Sequence, residues 1–137
     1  MEILSLGQKI KKLRKEKNVT LKELAGNGIR AAQISHIERD KSYPSQDLLE
    51  YFSEKLETPI DYFLESKEAQ AKKIASSIIL KSEVLFKTEK YQEAKRELSK
   101  ILNLCTYYDI SHECAKANFI YGLVYLVEKE YKKATSM

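Results

Sequence analysis

Residues 30–39 read Arg-Ala-Ala-Gln-Ile-Ser-His-Ile-Glu-Arg, and they follow a Gly-Asn-Gly segment at residues 26–28. Glycine permits the positive φ angles of a sharp turn, because it lacks the Cβ atom that forbids them elsewhere. Ile34 and Ile37 lie three residues apart, which predicts a helix that buries both side chains. The remaining side chains then face outward or flank the core. The segment is therefore predicted to be a short helix that follows a sharp turn and presents a mainly polar face.

Helix-starting signals flank this segment on both sides. Ser5 and Gln8 have the spacing of a capping box, and Thr20 precedes a short second helix. Ser45 is the predicted cap of a fourth helix, and Pro59 suits the first position of a fifth. We expect Ile60, Phe63 and Leu64 to supply the apolar face of that fifth helix. Two helices joined by a glycine turn and flanked by three others indicate a helix-turn-helix unit.

Charge is distributed unevenly along the chain, whose formal net charge is only +4. Residues 1–41 hold ten Lys or Arg against five Asp or Glu, whereas residues 42–66 hold one against six. This polarity favours a polyanionic partner, which would release condensed counterions on binding. The predicted basic face comprises Lys9, Lys12, Lys22, Arg30 and Lys41. The alternative is an ordinary solvated lysine surface, because such helix faces are common.

Four motifs between Leu6 and Glu65 carry a resemblance to a known family. They are Ile10-Lys11-Lys12-Leu13-Arg14, Thr20-Leu21-Lys22-Glu23-Leu24-Ala25, Ile34-Ser35-His36-Ile37-Glu38-Arg39 and Pro44-Ser45. Together they resemble the Cro/CI-type (XRE-like) helix-turn-helix domain of phage repressors and many bacterial regulators. The resemblance implies an all-α fold that begins with a five-helix, lambda-repressor-like DNA-binding domain at residues 1–66.

The resemblance also implies which residues bind double-stranded DNA, since the family contacts bases mainly from the start and exposed face of the third helix. The expected DNA-binding residues are Lys22, Arg30, Ala31, Ala32, Gln33, Ser35, His36, Arg39 and Lys41. The two alanines lack side-chain hydrogen-bonding groups, so they can contact only a thymine methyl group or allow close backbone approach. For Gln33 and His36 the alternative is a solvated surface position.

Two further details follow from the family pattern. The family usually places Ser or Thr where Arg30 stands, and the segment between Ala25 and Ile29 is one residue shorter than its commonest form. An arginine of the first helix usually pairs with the glutamate that ends the third. Arg14 and Glu38 match those positions, which implies a structural ion pair between them.

The second half of the chain has a different pattern. Residues 67–74 are predicted to be a polar helical connector, and residues 75–137 contain a weak self-similarity with a period of 40 residues, between 89–94 and 129–134. The small residues Gly122 and Ala134 have the spacing seen in tetratricopeptide repeats, so antiparallel helical repeats are expected. We expect the repeats to be incomplete at the C-terminus, because Met137 falls inside what should be the second helix of the second repeat. The alternative is a plain helical hairpin that only dimerises the chain.

A helix-turn-helix domain followed by such repeats resembles peptide-responsive regulators of Gram-positive bacteria. The resemblance implies a homodimer and a short signalling peptide as partners. The expected peptide groove is lined by Ile79, Glu83, Phe86, Phe119, Leu123 and Val127. The apolar faces of the repeats further suggest either a fragment of a longer regulator or a core completed by a second chain.

Other classes of protein receive little support. Cys105, His112 and Cys114 supply only three ligands in no common zinc spacing, so reduced thiols are expected rather than a metal site. No catalytic constellation, phosphate-binding loop, cofactor motif or membrane span is recognisable, which favours a cytoplasmic protein that is not an enzyme. We therefore expect a sequence-specific transcriptional regulator. The alternative is a protein-interaction adaptor or antitoxin-like module with little DNA affinity.

Overall fold

The computed structural model of the chain describes residues 2–26 and 28–136, and within these ranges it contains eight α-helices and no extended strand. The helices are α1 Leu6–Glu16, α2 Leu21–Leu24, α3 Ala31–Glu38, α4 Gln46–Lys55, α5 Ile60–Leu64, α6 Lys67–Lys87, α7 Tyr91–Tyr107 and α8 Ser111–Ser136. They form two compact units, of which the first spans Glu2–Lys67 and the second begins at Glu68. The all-α prediction is confirmed.

The first unit encloses one hydrophobic core to which each of its five helices contributes. Its buried members are Ile10, Leu24, Ile29, Ile34, Ile37, Leu49, Phe52, Leu56 and Phe63. The prediction that Ile34 and Ile37 face inward is confirmed, because they are 0% and 2% exposed. The prediction for Leu64 is wrong, since its side chain is 52% exposed. With only five residues, α5 reaches the core through Phe63 and, in part, Ile60, and it ends at Leu64.

Local capping explains where most of these helices begin. Ser5 and Gln8 form the predicted capping box, and Thr20 forms a second one with Glu23. The Ser45 hydroxyl accepts a hydrogen bond from the Leu48 amide at 3.3 Å, as expected for the start of α4. Helix α5 begins one residue later than predicted, at Ile60, because Pro59 is its cap residue and not its first helical residue.

Four helices end in the left-handed conformation without using glycine there. The residues with positive φ are Asn18, Asp40, Glu57 and Glu89. At the end of α3, the Asp40 amide donates to the Ile37 carbonyl at 3.0 Å and the Lys41 amide donates to the His36 carbonyl at 2.9 Å. This pair of bonds is the Schellman motif, which satisfies carbonyl groups that the helix itself leaves unpaired.

The same Asp40 joins the end of α3 to the start of α1. Its carboxylate accepts hydrogen bonds from the Gly7 amide at 3.1 Å and from the Ser5 hydroxyl at 2.6 Å. A negative charge is favourable there because the N-terminus of a helix carries partial positive charge. A Cβ atom at Gly7 would lie 2.8 Å from the Glu38 carbonyl oxygen and closer still to that of Ile37. The two helices therefore approach each other at a distance that only glycine allows.

The second unit is built from α6, α7 and α8, joined by connections of three residues each. Such short connections produce antiparallel neighbours. The small residues Ser82 and Ala94 are both fully buried, and Lys81 on α6 donates to Glu97 on α7 at 3.2 Å. Lys95 on α7 donates to Glu128 on α8 at 2.7 Å, and this ammonium group holds the pKa of the Glu128 carboxyl below its usual range. The predicted helical repeats are confirmed in this arrangement.

The expectation that the chain ends inside a separate second helix of the second repeat is wrong, because α8 continues without interruption from Ser111 to Ser136. In the first copy of the repeat, Glu89 adopts a positive φ of 62° and ends α6. In the second copy the corresponding residue, Lys129, stays helical. There Glu128 is bonded to Lys95 and lies 3.6 Å from the Lys132 ammonium one turn later, which stabilises the uninterrupted helix.

The expectation of two reduced thiols is also wrong, since Cys105 and Cys114 form a disulfide with a Cα separation of 6.1 Å. The reason is the short connection between α7 and α8, which brings cysteines nine positions apart to opposite sides of one corner. Among the described residues, no helix combines the length and apolar character needed to cross a membrane.

Replacing Gly7 by Ala should lower the free energy of unfolding by about 1–3 kcal/mol, because the added methyl group must displace the backbone of α3. Gly122→Ala is the matched control. No atom lies within 4 Å of a Cβ atom built there, so alanine should stabilise α8 by ~0.5–1 kcal/mol. Urea unfolding followed by circular dichroism measures both changes. Equal effects of the two substitutions would contradict the close approach at Gly7.

Candidate nucleic-acid interface

The turn between α2 and α3 fixes where α3 begins. Gly26 and Ile29 exchange two backbone hydrogen bonds, of 2.9 and 3.1 Å, and Gly26 and Gly28 have positive φ angles of 147° and 92°. Tyr51 on α4 donates its hydroxyl proton to the Leu24 carbonyl at 2.7 Å, which ties the end of α2 to the core. Asn27 lies outside the described residues. The predicted glycine turn is therefore described through Gly26 and Gly28, which have the positive φ angles.

Helix α3 has one buried side and one solvent-facing side. Ile34, Ile37 and Glu38 are buried. The exposed residues on or next to this helix are Arg30, Ala32, Gln33, His36 and Arg39, and the half-buried ones are Ala31 and Ser35. Arg30 precedes the helix as its cap residue but makes no side-chain capping bond. Its guanidinium group therefore lies at the start of the helix without a capping role.

Two of the expected cations flank this face from neighbouring segments. Lys22 on α2 and Lys41 after α3 are both exposed. Arg39 donates from Nε to the Ser35 carbonyl oxygen at 3.3 Å, which directs its guanidinium group back along α3. Tyr43 was not among the predicted contacts, yet it is 72% exposed and lies two residues after Lys41. An aromatic residue in a short polar loop is the sequence signal that would select it.

Lys9 does not belong to the basic surface, so that part of the predicted face is wrong. Its side chain is buried, and its ammonium group donates to the Tyr62 and Glu65 carbonyl oxygens at 2.6 and 2.8 Å. It also lies 5.0 Å from the centre of the Tyr62 ring. These carbonyls lie at the end of α5, where a cation is favourable because the helix terminus carries partial negative charge. Lys9 is a structural cation of the core.

The predicted pairing residues Arg14 and Glu38 lie together in the interior. Arg14 donates from Nε and Nη2 to the two carboxylate oxygens of Glu38 at 2.7 and 3.1 Å, and from Nη1 to the Val19 carbonyl at 3.0 Å. The side chains are only 11% and 4% exposed. The hydrogen bond to Glu38 raises the pKa of Arg14 above its ordinary value. This bidentate pair connects α1 to the last turn of α3.

Gln33 borders a cavity of about 260 Å³ between α3 and the start of α4. Ser45 and Asp47 lie on the opposite side of that cavity. The Asp47 carboxylate is well placed for the first turn of α4 but repels a phosphate group. Gln33 is therefore suited to contact an uncharged group, such as a base edge, better than the DNA backbone.

This arrangement agrees with a comparison against protein families. Residues 7–68 match a family model described as a helix-turn-helix domain. The first unit is an XRE-type helix-turn-helix domain. Within it, α2 and α3 are the two helices joined by the turn, and α3 is the helix whose exposed side carries most of the predicted DNA contacts.

The helix-turn-helix chain is also similar to a solved structure, PlcR of Bacillus thuringiensis, which was crystallised in complex with the peptide PapR7 and DNA. The two share 27% sequence identity with a TM-score of 0.57, and the match covers 92% of this chain. It covers 44% of the PlcR chain, so the present chain spans less than half of PlcR. No curated protein matches the chain in sequence.

The expected peptide-groove residues lie on α6 and α8. Ile79 is buried, Glu83 and Phe86 are half-buried, and Phe119, Leu123 and Val127 are 67%, 40% and 36% exposed. A cavity of about 390 Å³ between the two helices is lined by Ser76, Ile79, Leu80, His112, Glu113 and Lys116. Of the expected residues only Ile79 contacts this cavity, so the other five lie farther along the helices.

Replacing Arg14 by Met should destabilise the first unit by about 3–5 kcal/mol, because the Glu38 carboxylate would stay buried without its partner. The double substitution Arg14→Met with Glu38→Met should recover most of that loss. Lys17→Met is the control, since it removes a cation from an exposed pair with Glu57 and should cost less than ~1 kcal/mol. Chemical denaturation gives all three values. A double variant as unstable as Arg14→Met would show that the pair contributes by packing alone.

Proposed function

We propose that this chain is a sequence-specific transcriptional regulator that places α3 in the major groove of DNA. The exposed face of α3 is the observation that supports this most directly, because it combines Arg30, Gln33 and His36 on a helix whose opposite side is buried. The DNA present in the PlcR complex supports the same function. A cytoplasmic location follows from this proposal, which assigns no catalytic step to the chain.

The residues of the interface divide by the DNA groups that they can contact. Arg30 can donate two hydrogen bonds to a guanine, and Gln33 can bond both edge groups of an adenine. Ala32 leaves space for a thymine methyl group. Lys22 and Lys41 are suited to phosphate oxygens, which position the domain without reading sequence. His36 extends the base-reading surface along the helix.

We propose further that the regulator acts as a homodimer. One α3 helix contacts only a short stretch of groove, and two linked copies gain affinity because the second binding step becomes intramolecular. In a compact dimer, the two copies are related by a two-fold axis and require DNA half-sites about one turn of the double helix apart. Leu80 and Val84 on α6 are 66% and 61% exposed, and such apolar surface is available to a second copy.

Peptide sensing is the remaining part of the proposal. Phe119, Leu123 and Val127 recur every four residues, so they share one side of α8. Ile79, Glu83 and Phe86 have a similar helical spacing on α6. An apolar surface with one acidic group fits a short peptide that is mainly apolar and carries a positive charge. The peptide bound in the PlcR complex supports this class of ligand.

Arg30→Ala should weaken specific DNA binding by about 1–3 kcal/mol and relax the sequence preference at one position of each half-site. Lys41→Ala should weaken binding to all sequences alike and reduce the salt dependence by about one counterion. The measurement starts with selection from a random duplex pool. Titration of the selected duplex at several salt concentrations follows, with sedimentation used to count the bound copies.

The matched control is Lys55→Ala, which removes the same charge from the acidic part of the domain and should leave binding unchanged. Enrichment of a palindromic site would support the dimeric regulator. A pool without enrichment, together with equal and negligible effects of all three substitutions, would contradict it. That result would favour the adaptor or antitoxin-like module, whose helix-turn-helix domain has little DNA affinity.

Phe119→Ser should weaken peptide binding about tenfold or more, because it removes the most exposed aromatic side chain of the expected groove. Short random peptides displayed on phage are selected on the unaltered protein, and the best binder is titrated calorimetrically. Lys129→Ser serves as a control on the same helix, with an exposed side chain outside the groove set. Binding that is unaffected by Phe119→Ser, or a selection that yields no binder, would contradict peptide sensing while leaving the DNA result intact.

A further inference from the structure

The disulfide between Cys105 and Cys114 connects two helices that already pack against each other. Three residues, Tyr108 to Ile110, link α7 to α8, and the corner has its own backbone bonds from Tyr108 to Leu104 and from Ile110 to Tyr108, both at 3.0 Å. The backbone thus holds the corner independently of the sulfur atoms. Two thiols in place of the disulfide would remain neighbours, because the Cα separation of 6.1 Å is set by the corner itself.

The two cysteines lie at helix ends of opposite polarity. Cys114 is in the first turn of α8, where partial positive charge favours a thiolate. Cys105 is in the last turn of α7, where partial negative charge favours the neutral thiol. His112 and Lys116 lie two positions before and after Cys114, and therefore on a different face of α8, so the helix ends alone distinguish the two cysteines. The pair therefore has one nucleophilic member and one resolving member.

Both cysteines are half-buried, so a small oxidant can reach them but a large one is hindered. In a reducing compartment, which the proposed function implies, a disulfide is usually transient and takes part in catalysis or redox sensing. A disulfide that must form and break needs neighbouring thiols, unequal thiolate character and access for a small molecule. The corner between α7 and α8 meets all three conditions.

We propose that Cys105 and Cys114 form a reversible oxidation site for peroxides. The Cys114 thiol first releases its proton, and the thiolate attacks one peroxide oxygen. The O–O bond breaks to give a sulfenic acid and hydroxide, and the hydroxide takes up the released proton to form one water. Cys105 then attacks the Cys114 sulfur, the S–S bond forms, and the hydroxyl group leaves with the Cys105 proton as a second water. Two thiols are oxidised and one hydrogen peroxide is reduced. A dithiol reductant reverses the reaction by thiol–disulfide exchange.

Oxidation has a local structural consequence because of where Cys114 lies. His112, Glu113 and Lys116 line the cavity between α6 and α8, and each is within two residues of Cys114. One carboxylate oxygen of Glu113 is buried there without a hydrogen-bond partner among the described residues. The disulfide fixes this turn of α8 to the end of α7, whereas the dithiol form leaves it held by noncovalent contacts alone. The oxidation state therefore controls how rigidly one wall of the cavity is held.

The experiment uses the full chain, reduced with a dithiol and then exposed to hydrogen peroxide. Thiols left free are alkylated and counted by mass spectrometry, with non-reducing electrophoresis to detect links between chains. We expect the intact protein to lose two thiols within one chain and to regain both on reduction. Cys105→Ser should instead accumulate a sulfenic acid on Cys114 that dimedone traps, and Cys114→Ser should react several-fold more slowly.

A second measurement tests the structural consequence. Oxidation should raise the thermal midpoint of the second unit by about 5–10 °C, because the cross-link restricts the unfolded chain. It should also slow hydrogen exchange in residues 103–118. The double variant Cys105→Ser with Cys114→Ser is the control and should show neither change with peroxide.

Three results would overturn the proposal. They are two thiols that remain free after peroxide, disulfides that form between chains in place of within one, and equal peroxide rates for the two single variants. None of these measurements uses DNA or a peptide. A chain that fails to bind DNA but oxidises as described would therefore refute the proposed function and leave the oxidation site standing.

Discussion

The contact between α1 and the end of α3 determines how α3 is held. Two polar interactions form it, the Arg14–Glu38 pair and the carboxylate of Asp40 at the start of α1. Apolar packing alone would allow α3 to slide or rotate at little cost, because hydrophobic contacts are not directional. Charged hydrogen bonds have narrow geometric requirements. The exposed face of α3 is therefore presented in one orientation, and an absent Cβ atom at Gly7 is what permits the two helices to meet.

Some cationic side chains of the first unit stabilise the fold and others face solvent, and the net charge of the sequence does not separate the two groups. Lys9 and Arg14 are directed to backbone carbonyls or a buried carboxylate and stabilise the fold. Arg30, Lys22 and Lys41 remain exposed, and their charges are available to a polyanion. This division means that fewer cationic side chains are available to a polyanion than the number of Lys and Arg residues in the sequence. The acidic residues of α4 and α5 then limit nonspecific attraction from the remainder of the domain.

Features that depend on residues three or four positions apart were predictable from the sequence. The two capping boxes, the Ser45 cap and the inward direction of Ile34 and Ile37 belong to this group, since local spacing determines them. Lys9, Leu64 and the cysteine pair depend on which helices meet in space, and periodicity does not contain that information. The Arg14–Glu38 pairing was expected only through family resemblance. The uninterrupted α8 shows a further limit, because Lys129 stays helical at the position that matches the helix-ending Glu89, next to the bonded Glu128.

The left-handed helix ends at Asn18, Asp40, Glu57 and Glu89 have a consequence for recognising distant relatives of this domain. A side chain at such a position costs roughly 1 kcal/mol relative to glycine in the folded state. It recovers part of that cost because it restricts the unfolded chain more than glycine does. The net penalty is small enough that many polar residues are acceptable there. A search for relatives of this domain therefore need not require glycine at helix ends, and the buried pattern of the core is the better guide to their ancestry.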